Sequence, residues 1–197
     1  MKSKTITSVR LAGSSHDHQK PDSRMSKKVS LFIMLLIMAS CGSKKSTTIL
    51  SASLTSACPK DGDCKVEVFD RKGMVAKTTE TGGLHYELEE STSKKVVKYT
   101  YNRKVKGDIQ DASYREEIVF EISDNNDQSV FTDESLQDTQ LLFGRFCYCK
   151  GQTGYYKIDS GSLRISKNPE SKTTEVDLSF KSKKVPQVIE KIAIAIK

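Results

Sequence analysis

Beyond Cys58 the chain alternates apolar and polar residues with a period of two, in short runs divided by turn formers. Val66 and Val68 alternate with Lys65 and Glu67; Val97, Tyr99 and Tyr101 with Lys98 and Thr100; Ile118, Phe120 and Ile122 with Glu117 and Glu121. Later, Leu163 and Ile165 flank Arg164, and Val176, Leu178 and Phe180 alternate with Glu175, Asp177 and Ser179. Successive strand side chains point to opposite faces, so each run predicts a strand with one buried and one wet face. Antiparallel sheets produce that pattern, whereas parallel strands read as near-continuous apolar runs. Reversals are expected at Arg71-Lys-Gly73, Gly82-Gly83, Gly151-Gln-Thr-Gly154, Ser160-Gly161 and Asn168-Pro169. A meander is expected from Leu141 to Ser182, one or two helical turns from Asp133 to Gln140 behind a Thr132 cap, and a closing strand through Ile192, Ile194 and Ile196. About nine short strands then predict a single all-β domain over residues 58–197, an antiparallel β-sandwich with a small β-barrel as the alternative.

The front of the chain follows a different grammar. Residues 29–39 are apolar all round, behind the basic Lys27 and Lys28 and ahead of the small Ala39 and Ser40. Eleven helical residues reach only about 16 Å, well short of a hydrocarbon core of about 30 Å. Residues 25–40 therefore read as an export signal rather than a membrane span. Residues 1–24 are polar, carry His16, His18 and Pro21, and do not fit ahead of such a signal. Translation is accordingly expected to begin at Met25, with residues 1–24 an upstream extension. Residues 42–57 hold eight Ser or Thr in sixteen positions, so residues 41–57 are expected to form a flexible tether spanning about 20–25 Å.

Charge changes less than its total suggests. The formal +7 would suit nucleic acid, but seven of the 32 basic and two of the 25 acidic residues precede Cys41. Removing them takes away +5 and leaves about +2 of mixed sign, so no nucleic-acid partner is expected. Beyond Cys41 four cysteines remain, Cys58, Cys64, Cys147 and Cys149, an even set suited to disulfides in an exported protein. Three pairings are open. In an extended strand Cys147 and Cys149 would stand about 6.6 Å apart, too far for a disulfide without a kink. Cross-pairing to Cys58 and Cys64 would constrain the unfolded chain by about 4–5 kcal/mol and is preferred on that ground. A zinc site lacks its usual C-x2-C knuckles, and a redox dithiol lacks a thioredoxin-like context, so neither metal nor cofactor is expected.

His85 is the only histidine beyond Cys41 and reads as a strand residue beside Tyr86. With no second histidine to support acid–base chemistry, no catalytic residue is assigned. Asp124-Asn-Asn-Asp127 lacks the ligand spacing of a calcium loop and reads as an acidic turn. Phe143, Arg145, Phe146, Tyr148, Tyr155 and Tyr156 form a candidate binding face, because rigid aromatics and arginine are common anchors; packing across the Gly151 to Gly154 turn is the plainer explanation of the same group.

Met38-Ala39-Ser40-Cys41 resembles the lipobox of bacterial lipoproteins, with Met38 in place of the usual Leu. The resemblance implies a diacylglyceryl group on the Cys41 thiol, cleavage before that residue and acylation of the new amine, making the lipid bilayer a partner. Together with Leu142-Phe-Gly-Arg-Phe-Cys-Tyr-Cys-Lys-Gly-Gln-Thr-Gly-Tyr-Tyr156, it is similar to uncharacterised lipoproteins of Bacteroidota, flavobacteria especially. Gly42 after the cysteine, followed by Lys44 and Lys45, suits an outer-membrane position facing the periplasm, with the cell surface as the alternative. Two functions follow as expectations: a non-catalytic envelope module that is structural or binds a protein or glycan, and a thiol redox protein or other enzyme using Cys147 and Cys149.

Overall fold

A computed structural model describes residues 47–197 apart from positions 106, 108–110 and 126. The expected export signal, the expected upstream extension and Cys41 lie outside the described residues. The described residues form one compact unit, built as two antiparallel sheets packed face to face, the sandwich that the period-two runs predict. Among the described residues there are eleven strands: β1 (Ile49–Leu50), β2 (Ala52–Leu54), β3 (Gly62–Thr78), β4 (Leu84–Arg103), β5 (Tyr114–Ser123), β6 (Gln128–Thr132), β7 (Leu142–Cys147), β8 (Gly154–Lys157), β9 (Gly161–Asn168), β10 (Thr173–Phe180) and β11 (Lys191–Ile196). One sheet has the order β1-β3-β4-β5-β7-β8 and the other β2-β11-β10-β9-β6. No helix among the described residues is long and apolar enough to cross a membrane.

The main core lies between the sheets. Val68, Val97, Tyr99, Ile118, Phe120 and Phe143 of the larger sheet meet Leu163, Ile165, Val176, Leu178, Ile192 and Ile194 of the smaller. Strand alternation puts the intervening Lys, Glu and Asp on the other faces. The expected helical turns are present as a 3-10 helix, Asp133–Thr139, where Ser135 Oγ accepts from Thr132 N–H and donates to Thr132 O, both at 2.7 Å. The closing strand is β11, paired with β10 from Ile192↔Leu178 to Ile196↔Thr174.

Three expectations need correction. Residues 41–57 are not tether throughout: β1 pairs with β3 and β2 with β11, so the chain changes sheets at Ser51. Leu50, Ala52 and Leu54 pack on the core while Ser51 and Ser53 stay exposed, a period-two pattern hidden in a Ser/Thr-rich composition. Next, Arg71-Lys-Gly73 is a bulge within one long strand rather than a reversal. Arg71 takes φ 52° there and the register slips between Asp70 and Lys72, which bends the strand. Last, the meander from Leu141 is broken, since β7 and β8 belong to the larger sheet and β9 and β10 to the smaller.

Past the bulge, the β3–β4 hairpin arm lies against the outer face of its own sheet. Met74 is fully buried there with Val96, Val119 and Leu142, flanked by Phe69, Tyr86 and Tyr155. Two side chains dock the arm's edge. Glu121 accepts the Met74 N–H, while the Gln140 amide donates to Met74 O and accepts from Ala76 N–H at 3.4 Å, imitating a neighbouring strand. A β-carbon at Gly73 would stand 3.3 Å from the Glu121 carboxylate, so glycine lets the arm approach.

Candidate functional site

The registers give the sandwich two distinct ends. At the chain-entry end the Asp70 N–H donates to Thr48 O at 3.0 Å, and Lys95 bridges Asp70, at 3.7 Å, and Asp124. Lys167 Nζ donates to Asp124 O at 2.6 Å, joining the smaller sheet. The Asp124 turn is thus engaged by lysines, as an acidic turn would be. At the far end lie Gly62↔Arg103, Asn102↔Arg115 and Tyr114↔Cys147, with the β7–β8 turn beyond.

A groove of about 470 Å³ opens at this far end, where β4 and β7 finish and β5 begins. Arg103, Tyr114, Arg115, Phe146 and Tyr148 form its walls, with Asn102, Asp111, Ser113 and Thr153 supplying polar groups. The Arg103 guanidinium carbon sits 4.3 Å over the Tyr114 ring and that of Arg115 4.6 Å over Phe146, cation–π contacts that hold both planes in place. Each is also clamped through Nε, Arg103 by Asp61 at 3.4 Å and Arg115 by the buried Glu117 at 3.2 Å. Their side chains remain 40% and 46% exposed. Arg145, on the inner face, lies 5.5 Å from the Tyr114 ring and donates from Nη1 to Gln152.

The groove is supported from below. Glu116 is completely buried and accepts from Val188 N–H at 2.6 Å, Ile189 N–H at 2.8 Å and the Tyr114 hydroxyl. It thereby ties the β10–β11 connection to β5 and fixes the Tyr114 ring. On the outer face, Phe146 meets the Tyr155 ring edge-on at 5.2 Å and Tyr155 meets Tyr86 at 5.4 Å. Gly144 is needed between them, because a β-carbon would stand 2.6 Å from Tyr155 and 2.7 Å from Phe146. Burial pushes the Tyr155 hydroxyl up, helped by its hydrogen bond to Glu117; burial and the neighbouring Glu116 hold Tyr99 at about 12.

The cysteines pair locally, Cys58 with Cys64 and Cys147 with Cys149, which corrects the preference for cross-pairing. Pro59 O accepts from Gly62 N–H at 3.1 Å, turning the chain so that Cys58 meets Cys64. Strand β7 ends at Cys147, and the bend at Tyr148 supplies the kink that a Cys147–Cys149 bond requires. Tyr148, held between the two bonded cysteines, is 81% exposed.

The predicted aromatic face divides. Phe143 is fully buried against Phe180, Tyr156 packs on the main core and Tyr155 belongs to the outer cluster; only Phe146 and Tyr148 line the groove and Arg145 adjoins it. Alternation along β7 and β8 sends neighbouring residues to opposite faces. Missed were Arg103, Tyr114 and Arg115, although Tyr101-Asn-Arg103 and Tyr114-Arg115 place aromatic and arginine side by side on both arms of one hairpin. His85 lies in β4 with Nε2 3.8 Å from Glu87, and its buried Nδ1 has no hydrogen-bond partner. Comparisons with protein-family models, curated proteins and solved structures find no match.

Proposed function

We propose that the protein is an envelope lipoprotein, anchored through acylated Cys41, whose β-sandwich serves as a non-catalytic binding module. The observation that carries this reading is polarity of the fold: the chain enters beside Thr48 and Asp70, whereas the arginine–aromatic groove opens at the opposite end. With β1 beginning at Ile49, only residues 42–48 separate Cys41 from the sheet. Seven residues reach at most about 25 Å fully extended and about 15 Å as a coil, so the entry end stays close to the bilayer and the groove points away from it. Several acyl chains give durable attachment. The outer membrane, facing the periplasm, is the expected place, and an envelope protein or glycan the expected class of partner.

Mass spectrometry of the chain extracted from membranes tests the anchor. The first peptide should begin at Cys41 and carry diacylglyceryl and acyl groups, and no peptide upstream of Met25 should occur in the immature product. A membrane-free chain with an unmodified Cys41 thiol would contradict the reading.

A second reading, thiol–disulfide exchange, is favoured by the half-exposed position of the Cys147–Cys149 bond at the groove. There a thiolate of a partner dithiol protein would attack one sulfur, form a mixed disulfide and release the other as thiolate; the partner's second thiolate would then resolve it, oxidising the partner and reducing the pair. Thiol labelling before and after incubation with a reduced dithiol oxidoreductase separates the readings: rapid exposure of two thiols supports exchange, and persistent blocking rules it out.

A further inference from the structure

We infer that the far-end groove binds a glycan bearing carboxylates, with Arg103 and Arg115 taking the acid groups and the Tyr148 ring stacking on a sugar face. The inference rests on the binding-module reading and names its ligand class. Among the described residues two guanidiniums line the groove, each paired with a carboxylate at Nε, and Asp111 is the one carboxylate in the lining itself. A guanidinium carries five N–H donors in a planar fork suited to carboxylates. Arg103 also pairs with the Tyr101 hydroxyl, so the part of each guanidinium offered to a second acceptor is the part its side chain keeps exposed, at 40% and 46%. Ring stacking and the Nε clamps hold both forks before any ligand arrives, which lowers the ordering cost of binding.

The same groove disfavours a peptide. Its walls come from β4, β5 and β7, adjacent strands whose backbones are already paired with one another, so an extended chain finds no free edge between them to join. It offers instead the side chains of Asn102, Ser113 and Thr153, hydrogen-bonding groups that match sugar hydroxyls. Tyr148, 81% exposed, presents a ring that no other aromatic covers among the described residues. The Cys147–Cys149 bond brackets that residue, keeping the ring outside the core. The volume, about 470 Å³, falls within the range of small-ligand sites, about 300–1,000 Å³.

Calorimetry on the full acylated chain in detergent, using tetragalacturonate and tetramannuronate with maltotetraose and tetraglutamate as comparators, tests the inference. At least one uronate should bind about tenfold or more tighter than either comparator and weaken steeply with added salt. Arg103→Gln and Arg115→Gln should each lose about tenfold, close to the value of one charge-assisted hydrogen bond. Tyr148→Ala, at an exposed position that leaves the fold intact by circular dichroism, should lose about threefold or more. Absence of binding by both uronates, equal binding of maltotetraose, equal or tighter binding of tetraglutamate, or an unaltered Tyr148→Ala affinity would each overturn it. The mass of acylated Cys41 in the same preparation reports the anchor separately, so a failed groove and a failed anchor are distinguishable.

Discussion

The two ends of the sandwich use charge in opposite ways. At the entry end Lys95, Asp70, Asp124 and Lys167 satisfy one another across the two sheets, and Lys72 pairs with Glu90 at 2.8 Å. At the far end arginines are stacked on aromatic rings, clamped by carboxylates at Nε and left partly exposed, above a completely buried Glu116. The contrast teaches that mutual pairing makes a quiet surface, whereas clamping from one side leaves charge partly exposed, which is the feature the proposed recognition surface rests on. Both disulfides also lie at the far end, where loops rather than ladders must be held.

Alkaline pH should break this contrast most severely. Tyr86, Tyr99, Tyr101, Tyr114 and Tyr155 all have raised pKa values, chiefly through burial. An unfolded tyrosine ionises near 10; each neutral buried phenol therefore contributes stability that is whole below pH 10 and lost as pH rises toward the folded value, about 12 for Tyr99. Phenolate absorbance should rise together with loss of circular dichroism above pH 10, and titration of all five with the fold intact would contradict this account. Next in size, Glu116→Ala should cost about 3 kcal/mol in urea unfolding, because two backbone N–H groups and the Tyr114 hydroxyl lose a charged acceptor. Replacing Cys58 and Cys64 together by Ser should cost about 2 kcal/mol, the small value expected of a short closed loop. Smallest, Lys95→Ala at the entry end should cost under about 1 kcal/mol, as for other surface ion pairs. If Lys95→Ala cost more than Glu116→Ala, the contrast between the ends would be inverted.

The architecture was legible wherever one face of a strand is buried and the other wet: Val97-Lys-Tyr99-Thr-Tyr101 and Val176-Asp-Leu178-Ser-Phe180 read directly as sandwich strands. The hairpin arm was not, because Met74 and Val96 are buried on the face that alternation assigns to solvent, and only the bulge at Arg71 explains how the outer face gains a cover. β1 and β2 were hidden for a compositional reason, Leu50, Ala52 and Leu54 being outnumbered by serine and threonine. Half of the site was legible. Phe146 and Tyr148 stood out as a cluster near the cysteines, whereas Arg103 and Arg115 come from separate strands and, in the Asn102↔Arg115 register, from opposite faces, so that only the groove at the sheet end brings both into one lining. Local pairing of the cysteines was missed because the entropy of the unfolded chain favours long loops, while the bend at Tyr148 and the turn after Pro59 decide which sulfurs meet.

Fluorescence quenching in liposomes tests the opposed ends most directly. The chain extracted from membranes is reconstituted with headgroup-quencher lipid and labelled through a single genetically encoded azide residue replacing either Asn168, on the β9–β10 turn of the entry end, or Tyr148 of the far end. The account predicts strong quenching at position 168 and little at position 148. Equal quenching at both, or stronger quenching at 148, would contradict a groove held away from the bilayer.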